Sequence, residues 1–345
     1  MIRITRGGGA MSRGEVWALV LAAGEGTRLS SLTTTAHGLT VPKQFCSLQG
    51  GVSLVEEALS RAVAVAPRRR LLAVVADRHR RWWEAPLYSL PPANVIVQPE
   101  NKGTAVGLLL PLLHLAQRDP DATVVILPSD HFVRHEWVLA RALQHATRLA
   151  RTDREHAYML GIAPEELDPE LGYIVPEHRV PAPRERAPRS AAAVGRFVEK
   201  PHFAIARSLV DTGALVNMFI FAASAQALLR LYAGRHPDLI ERLAGAVRQD
   251  AHRPRDPLVA QRLYGSLPTL DFSRDLLEGQ ESMLRVVTVP PCGWSDLGTP
   301  QRVADTLNRY KSPRATRPAV CHAAFLSLAD QQSRQQFSVA ARAHS

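Results

Sequence analysis

Glycine, arginine and lysine fall in an order suited to gripping phosphate. The apolar run VWALVLA at 16–22 opens into Ala23-Gly24-Glu25-Gly26-Thr27-Arg28, and Lys43 follows downstream. Glycines at the C-terminal end of a strand let backbone N–H groups come close to a polyphosphate. Arg28 and Lys43 add two fixed cations. The Walker spacing G-x-x-x-x-G-K-[ST] is absent, and Leu29 replaces the third glycine of G-x-G-x-x-G. Alone, the segment reads equally well as a structural turn between strand and helix. Lysine is scarce: Lys43, Lys102, Lys200 and Lys311 are the only four. In a chain that otherwise uses arginine, a lysine marks a place that wants a compact ammonium rather than a planar fork.

The elements that must position these residues read as α/β. Short apolar runs at 16–22, 71–76, 94–98 and 123–128 have the continuous hydrophobicity of buried parallel strands. Helical patterns at 53–66, 104–117 and 135–151 lie between them. The alternation predicts a Rossmann-like, mixed but mainly parallel sheet with helices on both faces. Further strands are expected at AYMLGI, YIVP, AVGRFVEKP, GALVNMFIFAA and MLRVVTVP, and further helices at 224–233 and in PQRVADTLNRY. Residues 1–14 read as a flexible lead, 180–190 as an exposed loop and 311–345 as a mobile tail.

Composition narrows the classes. Hydrophobic residues make up 46% and charged residues 21%, which excludes general disorder. No apolar run is long enough for a membrane span, and the N-terminus lacks the apolar stretch of a secretory signal. Cys46, Cys292 and Cys321 are too widely spaced for a zinc ribbon or a disulfide framework, and suit a reducing cytoplasm. The net charge of +10 is spread over scattered arginines and comes with no nucleic-acid-binding motif. His131 and His135 read as a surface pair at a helix start, the arginine runs at 68–70 and 78–81 as solvated faces, and Trp82 and Trp83 as packing residues.

The order G-x-G-T-R-L, then P-K-Q-F, resembles the signature of the sugar-1-phosphate nucleotidyltransferases, and the P-K-Q-F form resembles their mannose-1-phosphate guanylyltransferase branch. VIVQPENKGTAVG followed by LPSDH is similar to the branch's E-P-x-x-R-N-T-A and P-S-D-H, and GWSDLG to its W-x-D-x-G. ELGYIVP, FVEKP and GALVNMF resemble its sugar-side segments. The resemblance runs from about residue 16 to 310 and implies the nucleotide-diphospho-sugar transferase fold, with residues 15–310 as a single nucleotidyltransferase domain.

The resemblance implies catalytic roles for Arg28 and Lys43. It places the nucleotide against Leu21, Ala22, Ala23, Gly24, Gly26, Thr27, Gln98, Gly103, Thr104 and Ala105, with Thr104 also capping the following helix. The sugar phosphate falls to Gly172, Glu199, Lys200 and Asn217, and Mg²⁺ to Asp130 and Asp296. Asp130 also follows a buried strand at its C-terminal end, where open α/β sheets place ligands. Asp271 and Glu278 are expected to be structural or to support the site residues. The partners implied are a nucleoside triphosphate, GTP favoured, and a hexose 1-phosphate, mannose 1-phosphate favoured. No membrane and no nucleic acid are implied, and a homo-oligomer is allowed.

The chain departs from the branch at Ala23, Ser31, Lys102, Gly103 and Val216, and its stretch between Arg28 and Lys43 is longer than usual. A UTP- or dTTP-dependent glucose-1-phosphate enzyme and a catalytically inactive nucleotide-sugar-binding regulator therefore stay open beside the guanylyltransferase.

Overall fold

The computed structural model describes residues 14–35, 38–48, 50–178, 191–252 and 259–309. The expected lead and tail lie outside the described residues, apart from Gly14, as does the whole of the loop expected at 180–190.

Eleven strands are found among the described residues: β1 Val16–Ala22, β2 Leu71–Ala76, β3 Val95–Gln98, β4 Thr123–Pro128, β5 Phe132–Val133, β6 Ala157–Ile162, β7 Gly172–Pro176, β8 Ala192–Glu199, β9 Leu215–Ser224, β10 Leu284–Val289 and β11 Trp294–Ser295. Nine of them form one sheet in the order β3-β2-β1-β4-β9-β6-β10-β8-β7. The fully buried runs of β2, β4 and β6 lie inside it, as their unbroken hydrophobicity requires. The sheet is mixed in a segregated way. Strands β3, β2, β1 and β4 run parallel, as do β6 and β10. Strand β9 lies between β4 and β6, antiparallel to both, and β8 is antiparallel to β7 and β10. Hydrophobic pattern predicts a buried strand without its direction, so the antiparallel half was not legible in advance.

Helices cover both faces. Helix Gly103–Arg118 and the Ala225–Arg235 and Pro237–His252 pair pack on one, around Leu108, Leu112, Leu231 and Phe272. Helices Leu54–Val63 and Glu136–Thr152 pack on the other, around Val55, Leu59, Leu139 and Leu143. The predicted helices 53–66, 104–117 and 135–151 are therefore found within a few residues of their expected ends. Helices Phe203–Asp211, Pro237–His252 and Val259–Tyr264 were not anticipated.

Two features of this frame place the site. The chain moves outward from β1 to β2 and β3, then returns to lay β4 on the other side of β1. The loops leaving β1 and β4 thus diverge at a topological switch point, where sheets of this kind hold ligands. A separate two-stranded ribbon then pairs Phe132 with Ser295 and Val133 with Trp294. This antiparallel register carries the residue after Ser295 alongside the residue before Phe132, and so brings Asp296 to His131.

Candidate active site

The loop after β1 is shaped by Gly26. Its φ of +64° lies in the left-handed region, and a Cβ there would fall 2.9 Å from the Lys43 backbone nitrogen. Glycine is needed both for the turn and for the close approach of the Lys43 segment. Gln44, 2% exposed, holds the same loop from beneath. Its Nε2 donates to the carbonyls of Ala22 (3.0 Å) and Gly24 (2.8 Å). The Leu21 carbonyl accepts from Ser129 Oγ at 2.5 Å, which joins the ends of β1 and β4. Gln44 lies within P-K-Q-F, where nothing in its spacing marks it as the anchor of the preceding loop. Thr34 and Thr40 bridge to each other, so the long stretch between Arg28 and Lys43 closes on itself before Pro42.

Gly26, Thr27, Arg28, Lys43, Asp130 and Gly298 line one cleft of about 390 Å³. Lys43 is buried, and its Nζ lies 2.9 Å from Asp130 Oδ2. The same ammonium donates to the carbonyls of Asp296 (2.7 Å) and Leu297 (3.2 Å). Burial works to raise the Asp130 carboxyl, but the Lys43 ammonium and the His131 imidazole outweigh it and hold it below the usual carboxylate range. Asp296 Oδ1 accepts from the Gly298 N–H at 3.1 Å and is paired with Arg302.

Arg28 is more than half exposed and reaches over the cleft, its Nη1 3.4 Å from Glu170 Oε2.

His131 is not the surface residue expected from sequence. It is buried beside Asp130, and its Nδ1 accepts from the Trp294 indole N–H at 3.2 Å. Burial pushes its pKa down to about 4, against the pull of Asp130 and Asp296. Its carbonyl accepts from Arg61, a buried arginine also bound to Glu57 and Glu136. Neither His131 nor Arg61 could be picked out from spacing, because the ribbon that buries the histidine joins segments far apart in the chain. Trp83 packs as expected, buried with its N–H donated to the Ala76 carbonyl.

On the side expected to meet the base, Gln98 is buried at the end of β3, and its amide lies over Gly107, where a Cβ would come within 2.6 Å of Nε2. Gly103 has φ +79°, and a Cβ there would fall 2.2 Å from the Leu270 carbonyl oxygen. Asn101 accepts from the Gly103 N–H at 3.0 Å and donates to Glu25 at 3.0 Å, tying this loop to the loop after β1. The Asn101 bond is the main reason the Glu25 carboxyl sits below its ordinary range, with Arg78 adding to it. The expected cap at Thr104 is not formed. The helix starts one residue earlier, at Gly103, and the Thr104 hydroxyl instead accepts from the Phe272 N–H at 2.8 Å. Ala105 is fully buried, with its N–H donated to the Leu270 carbonyl. Lys102 pairs with Glu100 at 3.1 Å and donates to the Gly265 carbonyl.

The expected sugar-side residues do converge. Gly172 of β7 is registered against Glu199 of β8, and a Cβ on it would lie 2.5 Å from Glu199 Oε2 and 3.5 Å from the Asn217 Cβ. Burial, then the nearby Asp271, raises the Glu199 carboxyl, while Lys200 opposes the rise from 3.6 Å. Lys200 adopts φ +48°, which turns it out of the strand. Asn217 is buried and its Oδ1 accepts from the Phe219 N–H. Glu278 accepts from the Glu199 N–H at 2.6 Å, the supporting role expected of it.

The donor set at the switch point suits a hard divalent cation. Among the described residues no group of three or more His, Cys, Asp or Glu could hold a metal. Magnesium needs no such cage, because it is bound by one or two carboxylates with the remaining positions left to phosphate and water. The Lys43 ammonium sits between the Asp130 carboxylate and the Asp296 carbonyl, while the Asp296 carboxylate turns to the Gly298 N–H and Arg302.

A family model for nucleotidyl transferases matches residues 17–312. The xanthan biosynthesis protein XanB of Xanthomonas campestris pv. campestris (strain B100) is 28% identical over 294 residues, 83% of this chain and 58% of that protein. A mannose-1-phosphate guanylyltransferase from Salmonella muenchen is 27% identical over 291 residues, 81% of this chain and 57% of that protein. The chain thus spans less than two thirds of the length of these relatives. A solved structure described as mannose-1-phosphate geranyltransferase from Thermus thermophilus matches with a TM-score of 0.67 at 25% identity, covering 82% of this chain and 76% of that one. Since the family model spans most of the sequence, the chain belongs to the nucleotidyl transferase family.

Proposed function

We propose that the chain transfers a nucleotidyl group from a nucleoside triphosphate to a hexose 1-phosphate, giving a nucleotide sugar and pyrophosphate. GTP and mannose 1-phosphate are the substrates favoured, on the P-K-Q-F and P-S-D-H segments and on relatives named for that reaction. The observation that carries the reading is Lys43, buried at the switch point and bound to Asp130 and to the Asp296 backbone in a cleft shared with Arg28.

The attacking sugar phosphate carries roughly −2 charge and must approach a polyanion. One pair of like charges at about 4 Å costs on the order of 4 kcal/mol at an effective dielectric near 20. Placing cations is therefore the main task, ahead of acid–base chemistry. Lys43 would hold the α-phosphate and Arg28 the leaving pyrophosphate, for which Arg28 must let go of the exposed Glu170. Leu21 to Gly24, Gly26 and Thr27 would frame the triphosphate, with Gln98, Gly103, Thr104 and Ala105 shaping the base side. Glu199 and Asn217 would accept and donate to sugar hydroxyls in the space Gly172 leaves, and Lys200 would pair with the sugar phosphate.

Nucleotidyltransferases of this family generally use a divalent metal. Here we take it to be Mg²⁺, held by Asp130 and Asp296, where it would neutralise phosphate charge.

The same proposal covers residues 15–310 as one domain, supported by β9 lying between strands of both halves. It also includes a cytoplasmic setting, in keeping with the burial of the Cys46 and Cys292 side chains. Among the described residues no helix is long and apolar enough to cross a membrane.

The test is a panel of GTP, UTP, dTTP, ATP and CTP against mannose and glucose 1-phosphates, read by pyrophosphate release. Release with GTP and mannose 1-phosphate above the other pairs is expected. Preference for UTP or dTTP with glucose 1-phosphate would replace the base and sugar. Absence of release with every pair would remove the enzymatic reading.

A further inference from the structure

Arg302 stands in the first turn of helix Pro300–Arg309, where Thr299 Oγ1 accepts its N–H at 3.2 Å. Its side chain is 19% exposed and runs between two carboxylates. Nη1 donates to Asp296 Oδ1, and Nε lies 3.3 Å from Asp168 Oδ2. Each carboxylate has its own backbone donor, Gly298 for Asp296 and Glu170 for Asp168. Arg302 is the group they share.

The guanidinium is divided rather than docked. An arginine satisfied by one carboxylate presents two parallel nitrogens to its two oxygens. Here one nitrogen goes to each partner, and the third, Nη2, is buried with no hydrogen-bond partner. A cavity of about 150 Å³, lined by Asp168, Asp296, Arg302 and Val216, adjoins it and gives the side chain room to turn.

We propose that Arg302 is a positioning residue that competes with the divalent cation for Asp296. It neutralises the Asp296 carboxylate while no cation is bound, and swings its fork onto Asp168 when a cation takes Asp296. The inference rests on the assignment of Asp296 to the metal made above. Its physical basis is that two cations on one carboxylate repel each other, whereas Asp168 offers Arg302 a second anion already in contact. Asp168 also holds the N–H of Glu170, the residue that Arg28 meets across the cleft. Movement of Arg302 onto Asp168 therefore bears on the segment that presents Glu170 to Arg28.

The experiment is a Mn²⁺ titration of the full chain without substrates, followed by electron paramagnetic resonance of the free ion. Arg302→Met is expected to bind Mn²⁺ about tenfold more tightly than wild type, or ~1.4 kcal/mol. Arg302→Lys, which keeps the charge, is expected to stay nearer to wild type. Asp168→Asn, which removes the alternative anchor, is expected to weaken binding several-fold. Unchanged or weaker binding in a folded Arg302→Met protein overturns the proposal. Should that variant fail to fold, unchanged binding in Asp168→Asn overturns it instead. Asp296→Asn separates the two levels. If it binds Mn²⁺ like wild type, the metal assignment itself fails and the Arg302 proposal with it. If it loses binding while Arg302→Met is unchanged, the Arg302 proposal alone fails.

Discussion

The Lys43 ammonium lies 2.9 Å from Asp130 Oδ2 and, at 2.7 Å, donates to the backbone carbonyl of Asp296. One side chain thus joins the loop after β1, the end of β4 and the segment after β11. Lys43→Met removes that cation while keeping the length of the chain. We expect pyrophosphate release to fall at least about a hundredfold, the scale of losing a preorganised charge partner in a dry site. A loss below threefold in a folded variant would mean that Lys43 is only structural.

Gly26 faces two demands at once, a left-handed turn and contact with Lys43. Gly26→Ala should cost about 1–2 kcal/mol for the backbone alone and displace Lys43 from the cleft. Denaturant unfolding should show the stability loss, and kcat/KM should fall by more than tenfold. Equal stability and rate would show that the loop tolerates a different path.

Gln44 secures two carbonyls of the phosphate-facing loop. Gln44→Ala leaves both without this donor, at about 1–3 kcal/mol for a buried group. The expected kinetic signature is a several-fold rise in KM for the triphosphate, larger than the fall in kcat. An unaltered KM would show that the loop is held without it.

His131 gives stability a pH dependence. Its folded pKa, about 4, lies below the ordinary 6.5, so the unfolded chain takes up the proton first as pH falls. The neutral, folded form keeps its full advantage above pH 6.5 and loses it on the way down to about 4. The slope is ~1.4 kcal/mol per pH unit, on the order of 3 kcal/mol in all. His131→Asn should lose less stability than wild type between pH 6.5 and 4.5 in urea unfolding. Parallel curves for the two proteins would contradict the buried, neutral imidazole.

Much of this site was legible because its parts are local. The boundaries of β1 follow from an unbroken apolar run, and the Gly-containing loop and Lys43 stand out in a chain with few lysines. Gly172, Glu199 and Asn217 were named singly, and the sheet register brings them together. What stayed hidden depends on contacts between distant segments. A two-residue strand such as Trp294–Ser295 has no readable period, yet its pairing with Phe132–Val133 buries His131 and delivers Asp296. Thr104 looked like a cap because a hydroxyl before an apolar run usually is one. The 270–272 segment claims that hydroxyl instead, a competition visible only in three dimensions.

The most direct measurement compares wild type with Asp130→Asn in pyrophosphate release from GTP and mannose 1-phosphate with Mg²⁺. Asparagine keeps the shape of the side chain and removes the charge that faces Lys43. The account predicts turnover by wild type and a loss of at least about tenfold in the variant, more than ~1.4 kcal/mol of barrier. Equal rates in the two proteins would contradict it.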